Sequence, residues 1–139
     1  MAKLRANGIE IEYELSGPPA GPPLLLVMGY ASQMTSWPDE FHDAFASAGY
    51  RVIRFDNRDV GLGHKHDGVI PDIRAAAKAI AEGKKPDVPY TLADMADDAA
   101  ALLDALKIDS AHVAGASMGG MIAQLMAIRH PAKVRSLIS

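Results

Sequence analysis

Apolar and charged residues alternate strictly near the start of the chain. Residues 9–15 read Ile-Glu-Ile-Glu-Tyr-Glu-Leu. This period of two is typical of a strand with one buried and one exposed face. The Asn7-Gly8 dipeptide just before it is a strong turn signal, and it predicts a β-hairpin that pairs this strand with residues 3–6.

The next apolar segment, residues 24–28, is a continuous run that reads Leu-Leu-Leu-Val-Met. Such a run is typical of a strand buried on both faces, as in a parallel sheet. Similar reasoning predicts strands over 50–55, around 113 and over 134–138. Helical spacing with capping or breaking residues predicts helices over 38–48, 70–82, 91–106 and from 117 to just before 131. This order of strands and helices predicts an α/β fold, which consists of a mostly parallel sheet with helices on both faces and is preceded by an N-terminal hairpin.

Composition narrows the classes of function. The chain has 139 residues with 14 basic and 17 acidic side chains, a formal charge of −3, and no cysteine. A length of this order predicts one domain. The basic residues form no block, so we expect no nucleic-acid partner. No apolar run is long enough to cross a membrane, and the first residues lack the pattern of a secretion signal, so we expect no membrane partner and a cytoplasmic protein.

The residues that carry chemistry are Gly115-Ala116-Ser117-Met118-Gly119. They form a G-x-S-x-G motif between a predicted strand and a predicted apolar helix, the context of a nucleophile elbow. Gly115 and Gly119 would allow a crowded, strained turn that presents the Ser117 hydroxyl at the head of the helix. The alternative is a serine that only caps the helix. The glycines and the flanking pattern favour the nucleophile.

A second glycine, Gly29, ends the first buried strand. In a fold of this type the loop at that point supplies a backbone donor for an oxyanion, and glycine lets the backbone approach a ligand closely. We therefore predict that the backbone N–H groups of Tyr30 and Met118 form an oxyanion hole. The alternative is an ordinary glycine at the end of a strand.

With these motifs the chain resembles the α/β-hydrolase fold, serine carboxylesterase branch, and is similar to bacterial esterases of the aclacinomycin methylesterase type. The resemblance rests on residues 24–30, 36–38, 55–61, 90–98 and 112–131. It implies hydrolysis of a small-molecule carboxylic ester through an acyl-serine at Ser117, with no cofactor.

The same resemblance implies an Asp and a His that follow the serine along the chain, and neither maps onto residues 1–139. We therefore expect a partial domain, with its second half absent, and an activity that is weak or depends on a partner. His64 and His66 lie in a loop on the carboxyl edge of the predicted sheet, the edge of Ser117, and are the candidate bases. The alternatives are two solvated loop histidines or an H-x-H metal pair. With no third ligand evident, we predict no metal site.

The last predicted strand, residues 134–138, would leave an open apolar edge on the sheet. Such edges recruit another strand, so we predict a homodimer formed through this edge. The alternative function is then a catalytically inactive half-domain that dimerises, as a scaffold or a small-molecule binder.

Overall fold

A computed structural model describes residues 1–139, and it contains six strands and four α-helices. The strands are β1 (Ala2–Ala6), β2 (Ile9–Ser16), β3 (Pro23–Val27), β4 (Arg51–Phe55), β5 (Ala111–Gly115) and β6 (Val134–Ile138). The helices are α1 (Asp39–Ser47), α2 (Ile73–Ala81), α3 (Leu92–Ala105) and α4 (Met118–Arg129). The predicted α/β fold and its order of elements are confirmed.

All six strands form one sheet in the order β1-β2-β4-β3-β5-β6. The hairpin of β1 and β2 is antiparallel, and β2 also pairs antiparallel with β4. Strands β4, β3, β5 and β6 are parallel to one another. The carboxyl ends of β3, β4 and β5 therefore meet at one edge of the sheet, where α/β folds bind their ligands. Strand β6 is the outermost strand on one side of the sheet, so the prediction that its outer edge is unpaired is confirmed.

Helices cover both faces of the sheet. Helices α3 and α4 pack together on one face, over a cluster of 19 buried apolar residues that includes the alternate side chains of β3, β4 and β5. Helix α1 covers the other face, where Trp37 and Phe45 pack on a smaller cluster around Leu26 and Val52. Burial on both faces explains why β3 reads as a continuous apolar run.

Helix α2 differs from the other three helices because none of its residues is buried. The apolar pattern predicts a helix from residue 70, but α2 begins at Ile73. Asp72 caps the start of the helix, because its side chain accepts hydrogen bonds from the backbone N–H groups of Arg74 and Ala75, both at 3.0 Å. At the next helix, the predicted capping box of Thr91 and Asp94 is present. None of the helices combines the length and the apolar character that crossing a bilayer requires.

Candidate active site

Ser117 occupies a sharp turn between β5 and α4. Its backbone has φ 55° and ψ −123°, a combination that only glycine adopts without strain. The side chain makes no capping hydrogen bond to the helix and is exposed. The alternative of a serine that only caps the helix therefore lacks its hydrogen bond. This strained, outward-facing arrangement is the geometry of a nucleophile elbow.

Three glycines make the turn possible. A Cβ atom on Gly115 would lie 2.2 Å from the backbone oxygen of Gly119, and one on Gly119 would lie 2.1 Å from that of Val27. A Cβ atom on Gly29 would lie 3.1 Å from the Cβ of Ser117 and 3.6 Å from its Oγ. Contacts this short leave no room for a side chain at the first two positions. Gly29 itself packs directly against the Ser117 side chain.

The two predicted oxyanion donors follow residues of the elbow along the chain: Met118 follows Ser117, and Tyr30 follows Gly29, which packs on the Ser117 side chain. The backbone N–H groups of Tyr30 and Met118 donate no hydrogen bond to another residue. Met118 is the first residue of α4, so its N–H has no partner within the helix and lies at the positive end of the helix dipole. Tyr30 and Met118 also line the same cleft. Two free donors on one cleft are what an oxyanion needs.

Polar side chains after β4 hold the Tyr30 loop in place. The side-chain amide of Asn57 donates to the backbone oxygen of Met28 at 2.9 Å. The carboxylate of Asp56 accepts from the backbone N–H of Met34 at 2.8 Å and from that of Leu62 at 3.0 Å. Asp56 and Asn57 are buried, so these bonds are shielded from water. Asp56 and Asn57 therefore brace these loops by bonding to backbone atoms.

Arg58, the next residue, forms a buried ion pair with Asp98. Its guanidinium makes two hydrogen bonds to the carboxylate of Asp98 on α3, at 2.5 and 2.8 Å. Asp98 also accepts from the side-chain amide of Asn7 at 2.7 Å. The Asp98 side chain is only 4% exposed. This network ties the hairpin turn, the loop after β4 and α3 together beneath the cleft.

The cleft beside the elbow has a volume of about 480 Å³. Most of its lining is apolar and comes from Val60, Leu92, Met95 and Met118. Tyr30 stands at this cleft with 80% of its surface exposed. An open, mainly apolar cleft next to an exposed serine can hold the body of a small organic substrate.

One end of the cleft is polar, and sequence reasoning missed it. Asp59 and Tyr90 line it together. Burial and the neighbouring Asp59 carboxylate raise the pKa of Tyr90 to about 12. Burial alone would raise the pKa of Asp59, but hydrogen bonds from the His66 backbone and the Tyr90 side chain outweigh it, and the pKa of Asp59 is lowered. The sequence does mark the position of Tyr90, because this residue directly precedes Thr91, the residue that caps the start of α3.

The two candidate bases lie away from the elbow. The backbone N–H of His64 donates to Glu10 on β2, at 3.1 Å. Strand β2 is three strands from β5 in the sheet, about 14 Å at the usual spacing. The His66 ring packs on Tyr90, with 5.0 Å between ring centroids, and lies 3.5 Å from Asp59. Neither ring hydrogen bonds to Ser117, so the prediction that one of them is the base has no contact to support it.

No group of three His, Asp or Glu side chains is arranged to hold a metal ion. The rings of His64 and His66 are near one another, with centroids 4.8 Å apart, but at 89° to each other. The H-x-H pair therefore has no third ligand.

Comparison with known proteins agrees with this geometry. Residues 22–139 match the family model described as alpha/beta hydrolase fold. The chain is 38% identical to rhodomycin D methylesterase DauP of Streptomyces sp. strain C5 and 36% identical to rhodomycin D methylesterase DnrP of Streptomyces peucetius, over 87% of this chain in each case. It spans 35% of the length of each of these relatives.

Among solved structures, the chain superposes on the epoxide hydrolase VrEH1 of Vigna radiata with a TM-score of 0.75. The match covers 96% of this chain and 35% of the other, at 21% identity, and so it speaks to the fold alone. The family model and the superposition both agree with the mixed sheet and the helices on its two faces. The chain belongs to the α/β-hydrolase fold family.

Proposed function

We propose that this protein hydrolyses carboxylic esters through an acyl-serine at Ser117. The observation that carries the proposal is the backbone of Ser117, which is held in a strained conformation while its side chain is exposed. Strain of this kind persists only where the surrounding structure enforces it, and it clusters at active sites. Relatives named as methylesterases support an ester as the substrate and a small alcohol as the leaving group.

In the proposed reaction, Ser117 Oγ attacks the ester carbonyl while a base takes its proton. The carbonyl oxygen becomes an oxyanion and accepts hydrogen bonds from the N–H groups of Tyr30 and Met118. The protonated base then gives its proton to the departing alkoxide, which leaves as an alcohol. Water, deprotonated by the same base, attacks the acyl-serine; the bond from the acyl carbon to Oγ breaks, Oγ takes the proton back from the base, and the acid is released. In other enzymes, the loss of one such donor costs about 3–4 kcal/mol of transition-state stabilisation.

The base is proposed to come from outside these 139 residues, on a partner chain or a further segment. No histidine side chain of the chain hydrogen bonds to Ser117. His42 is buried on α1 between Asp39 and Asp43. His112 hydrogen bonds to Ser136, and His130 to Asp97. His64 and His66 pack against each other and Tyr90. The chain by itself should therefore acylate slowly.

Added imidazole tests this proposal because it can replace the base. The rate of p-nitrophenyl acetate hydrolysis is measured against imidazole concentration for the wild type and for Ser117→Ala. We expect the wild type to show a saturable increase above the variant, with an acetylated peptide that contains residue 117. Equal rates at every imidazole concentration, with no acetylated peptide, would contradict the proposal.

We further propose that two copies pair through β6. This strand has no partner on its outer side, and Leu137 and Ile138 are exposed on it. Exposed Met121 and Ile128 of α4, the helix that packs on β6, extend the apolar surface. Light scattering after size-exclusion chromatography should give a dimer mass, and Ile138→Lys should give a monomer. A wild-type monomer at high concentration would count against pairing.

The alternative function is an inactive half-domain that dimerises. It is favoured by the absence of any histidine in contact with Ser117. The two functions separate in the imidazole experiment, because a scaffold would dimerise without a Ser117-dependent reaction.

A further inference from the structure

A carboxylate stands at the polar end of the cleft beside the elbow. Asp59 lines this cleft, and 38% of its side chain is exposed. Its backbone has φ 60°, a left-handed conformation that aspartate tolerates better than most residues do. Because the other residues of the lining are apolar, neutral or basic, Asp59 is the acidic group that a ligand in the cleft would meet.

Neighbouring groups fix the Asp59 carboxylate without using all of its acceptor positions. One oxygen accepts from the backbone N–H of His66 at 2.7 Å, and the Tyr90 hydroxyl also donates to the carboxylate. The Tyr90 ring is held in turn by the Arg58 guanidinium, 5.5 Å from its centroid, and by the His66 ring, at 5.0 Å. A carboxylate can accept about four hydrogen bonds, so about two positions stay open to a ligand.

No lysine or arginine neutralises the charge of this carboxylate. The Arg58 guanidinium, also at the cleft, pairs with Asp98. The ammonium group of Lys65 donates to a backbone oxygen at 2.8 Å, and the basic group within 4 Å of Asp59 is the His66 ring, at 3.5 Å. Although burial opposes it, the hydrogen bonds to Asp59 lower its pKa, so the group is ionised at neutral pH. A negative charge therefore faces a mainly apolar cleft, where an ion pair is screened less than it is in water.

The carboxylate and the proposed oxyanion donors lie at the same edge of the sheet. Asp59 follows β4, Tyr30 follows β3 and Met118 follows β5, and all three residues line the cleft. Strands β4 and β5 flank β3, so they are two strand spacings apart, about 10 Å. A ligand that spans the cleft can therefore meet the two donors with one end and Asp59 with the other.

We propose that Asp59 selects the substrate by binding a positively charged amine on the acyl part of the ester whose carbonyl meets Ser117. This inference rests on the proposed function and names its substrate class, esters of amino-substituted carboxylic acids. Because the proposed leaving group is small, the acyl part of the ester is what fills the cleft. An ammonium group has three donors for the open positions of the carboxylate and neutralises its charge, whereas a hydroxyl group would leave the charge in place.

Two p-nitrophenyl esters of the same shape test this inference. The 6-aminohexanoate and the heptanoate differ only in ending in an ammonium or a methyl group. Their hydrolysis is measured with imidazole as base, and the rate of Ser117→Ala is subtracted. Asp59→Asn removes the charge with a residue that also tolerates a positive φ. Asp67→Asn is the matched control, because it removes an exposed charge of the same loop that does not line the cleft.

The comparison uses the ratio of kcat/KM for the 6-aminohexanoate to kcat/KM for the heptanoate. We expect this ratio to fall about tenfold or more in Asp59→Asn and to stay within about twofold of the wild-type value in Asp67→Asn. The change should lie mainly in KM, because the amine is bound in the same way before and during the reaction. A ratio that does not fall in Asp59→Asn, or that falls equally in both variants, would overturn the inference and leave the proposed function intact.

A binding measurement covers the case in which Asp59→Asn fails to fold, and it does not depend on catalysis. Pentylamine and pentanol are titrated separately into the wild type at neutral pH, and the NMR signal of the His66 amide, which donates to Asp59, is followed. We expect pentylamine to bind at least about tenfold more tightly than pentanol. Equal affinities, or an unchanged signal with both compounds, would overturn the inference. If Ser117→Ala matches the wild type on both esters, the proposed function fails, while the titration still decides whether Asp59 binds an amine.

Discussion

The elbow and the segment of residues 67–89, which we call the flap, are built in opposite ways. At the elbow, the glycines of the turn are in contact with backbone atoms of β3 and α4, and the loops around them are held by buried hydrogen bonds. In the flap, α2 has no buried residue, and Ile73 is 77% exposed. The elbow is therefore packed against the rest of the chain, whereas the flap carries apolar side chains that are exposed.

This difference follows from what each region has to hold. A serine at positive φ is strained by about 1–3 kcal/mol, and only a tightly packed surrounding keeps it there. The flap has no buried residue on α2, and an element with so few internal contacts has low local stability. Substitutions of the same kind should have large effects near the elbow and small effects in the flap.

The largest expected difference concerns ion pairs. Asp98→Ala removes the carboxylate that pairs with the buried guanidinium of Arg58, and it should lower the free energy of unfolding by about 3–5 kcal/mol. Glu82→Ala removes the partner of Lys84 in the flap, where both side chains are exposed, and should cost less than about 1 kcal/mol. Urea denaturation of both variants measures the difference. Similar losses would mean that the flap is as tightly coupled to the core as the elbow.

Glycine substitutions should give the next largest difference. Gly119→Ala places a Cβ atom 2.1 Å from the backbone oxygen of Val27 and should cost about 3 kcal/mol, because a backbone atom must move. Gly83→Ala in the flap meets no atom within 4 Å and should cost only about 1 kcal/mol, for its φ of +70°. Thermal unfolding of the pair compares them. A Gly119→Ala variant as stable as the wild type would contradict the packing of the elbow.

Substitution of Ser117 itself tests the strain. Ser117→Ala keeps a Cβ atom at φ 55°, and Ser117→Gly removes it. We expect the glycine variant to be more stable than the alanine variant by about 2 kcal/mol, because relief of the positive-φ strain adds to the advantage that glycine already has over alanine at the residue that precedes a helix. Chemical denaturation of both variants measures this. An alanine variant that is the more stable of the two would show that the conformation costs nothing.

The smallest expected effect is on pH dependence. The pKa of Tyr90 is raised to about 12, so its neutral form is favoured in the folded protein. Its contribution to stability should be complete below the ordinary pKa of tyrosine, about 10, and should be lost as the pH rises from there to about 12. Phenolate absorbance should show one tyrosine titrating late in the wild type and none in Tyr90→Phe. A normal titration of all four tyrosines would contradict the burial of Tyr90 beside Asp59.

Local patterns in the sequence were enough to predict the fold and the elbow. The run before Gly29, the alternation in β2 and the glycines around Ser117 can each be recognised within a segment of a few residues. The positions of His64 and His66 depend on which strand their loop crosses, and the sequence does not show that β2 lies three strands from β5. The sequence did not predict that α2 has no buried residue, because an amphipathic pattern identifies an apolar face without showing what covers it.

The central claim is that Ser117 is a nucleophile made reactive by its place in the fold, and selective labelling tests it most directly. The wild-type chain is incubated with a fluorophosphonate reagent and imidazole, and the rate of modification of every serine is measured by peptide mass spectrometry. We predict that Ser117 is labelled at least about tenfold faster than exposed serines such as Ser36 and Ser139, because the proposed oxyanion donors, the N–H groups of Tyr30 and Met118, would stabilise its reaction. Labelling of Ser117 at the same rate as Ser36 would contradict the claim.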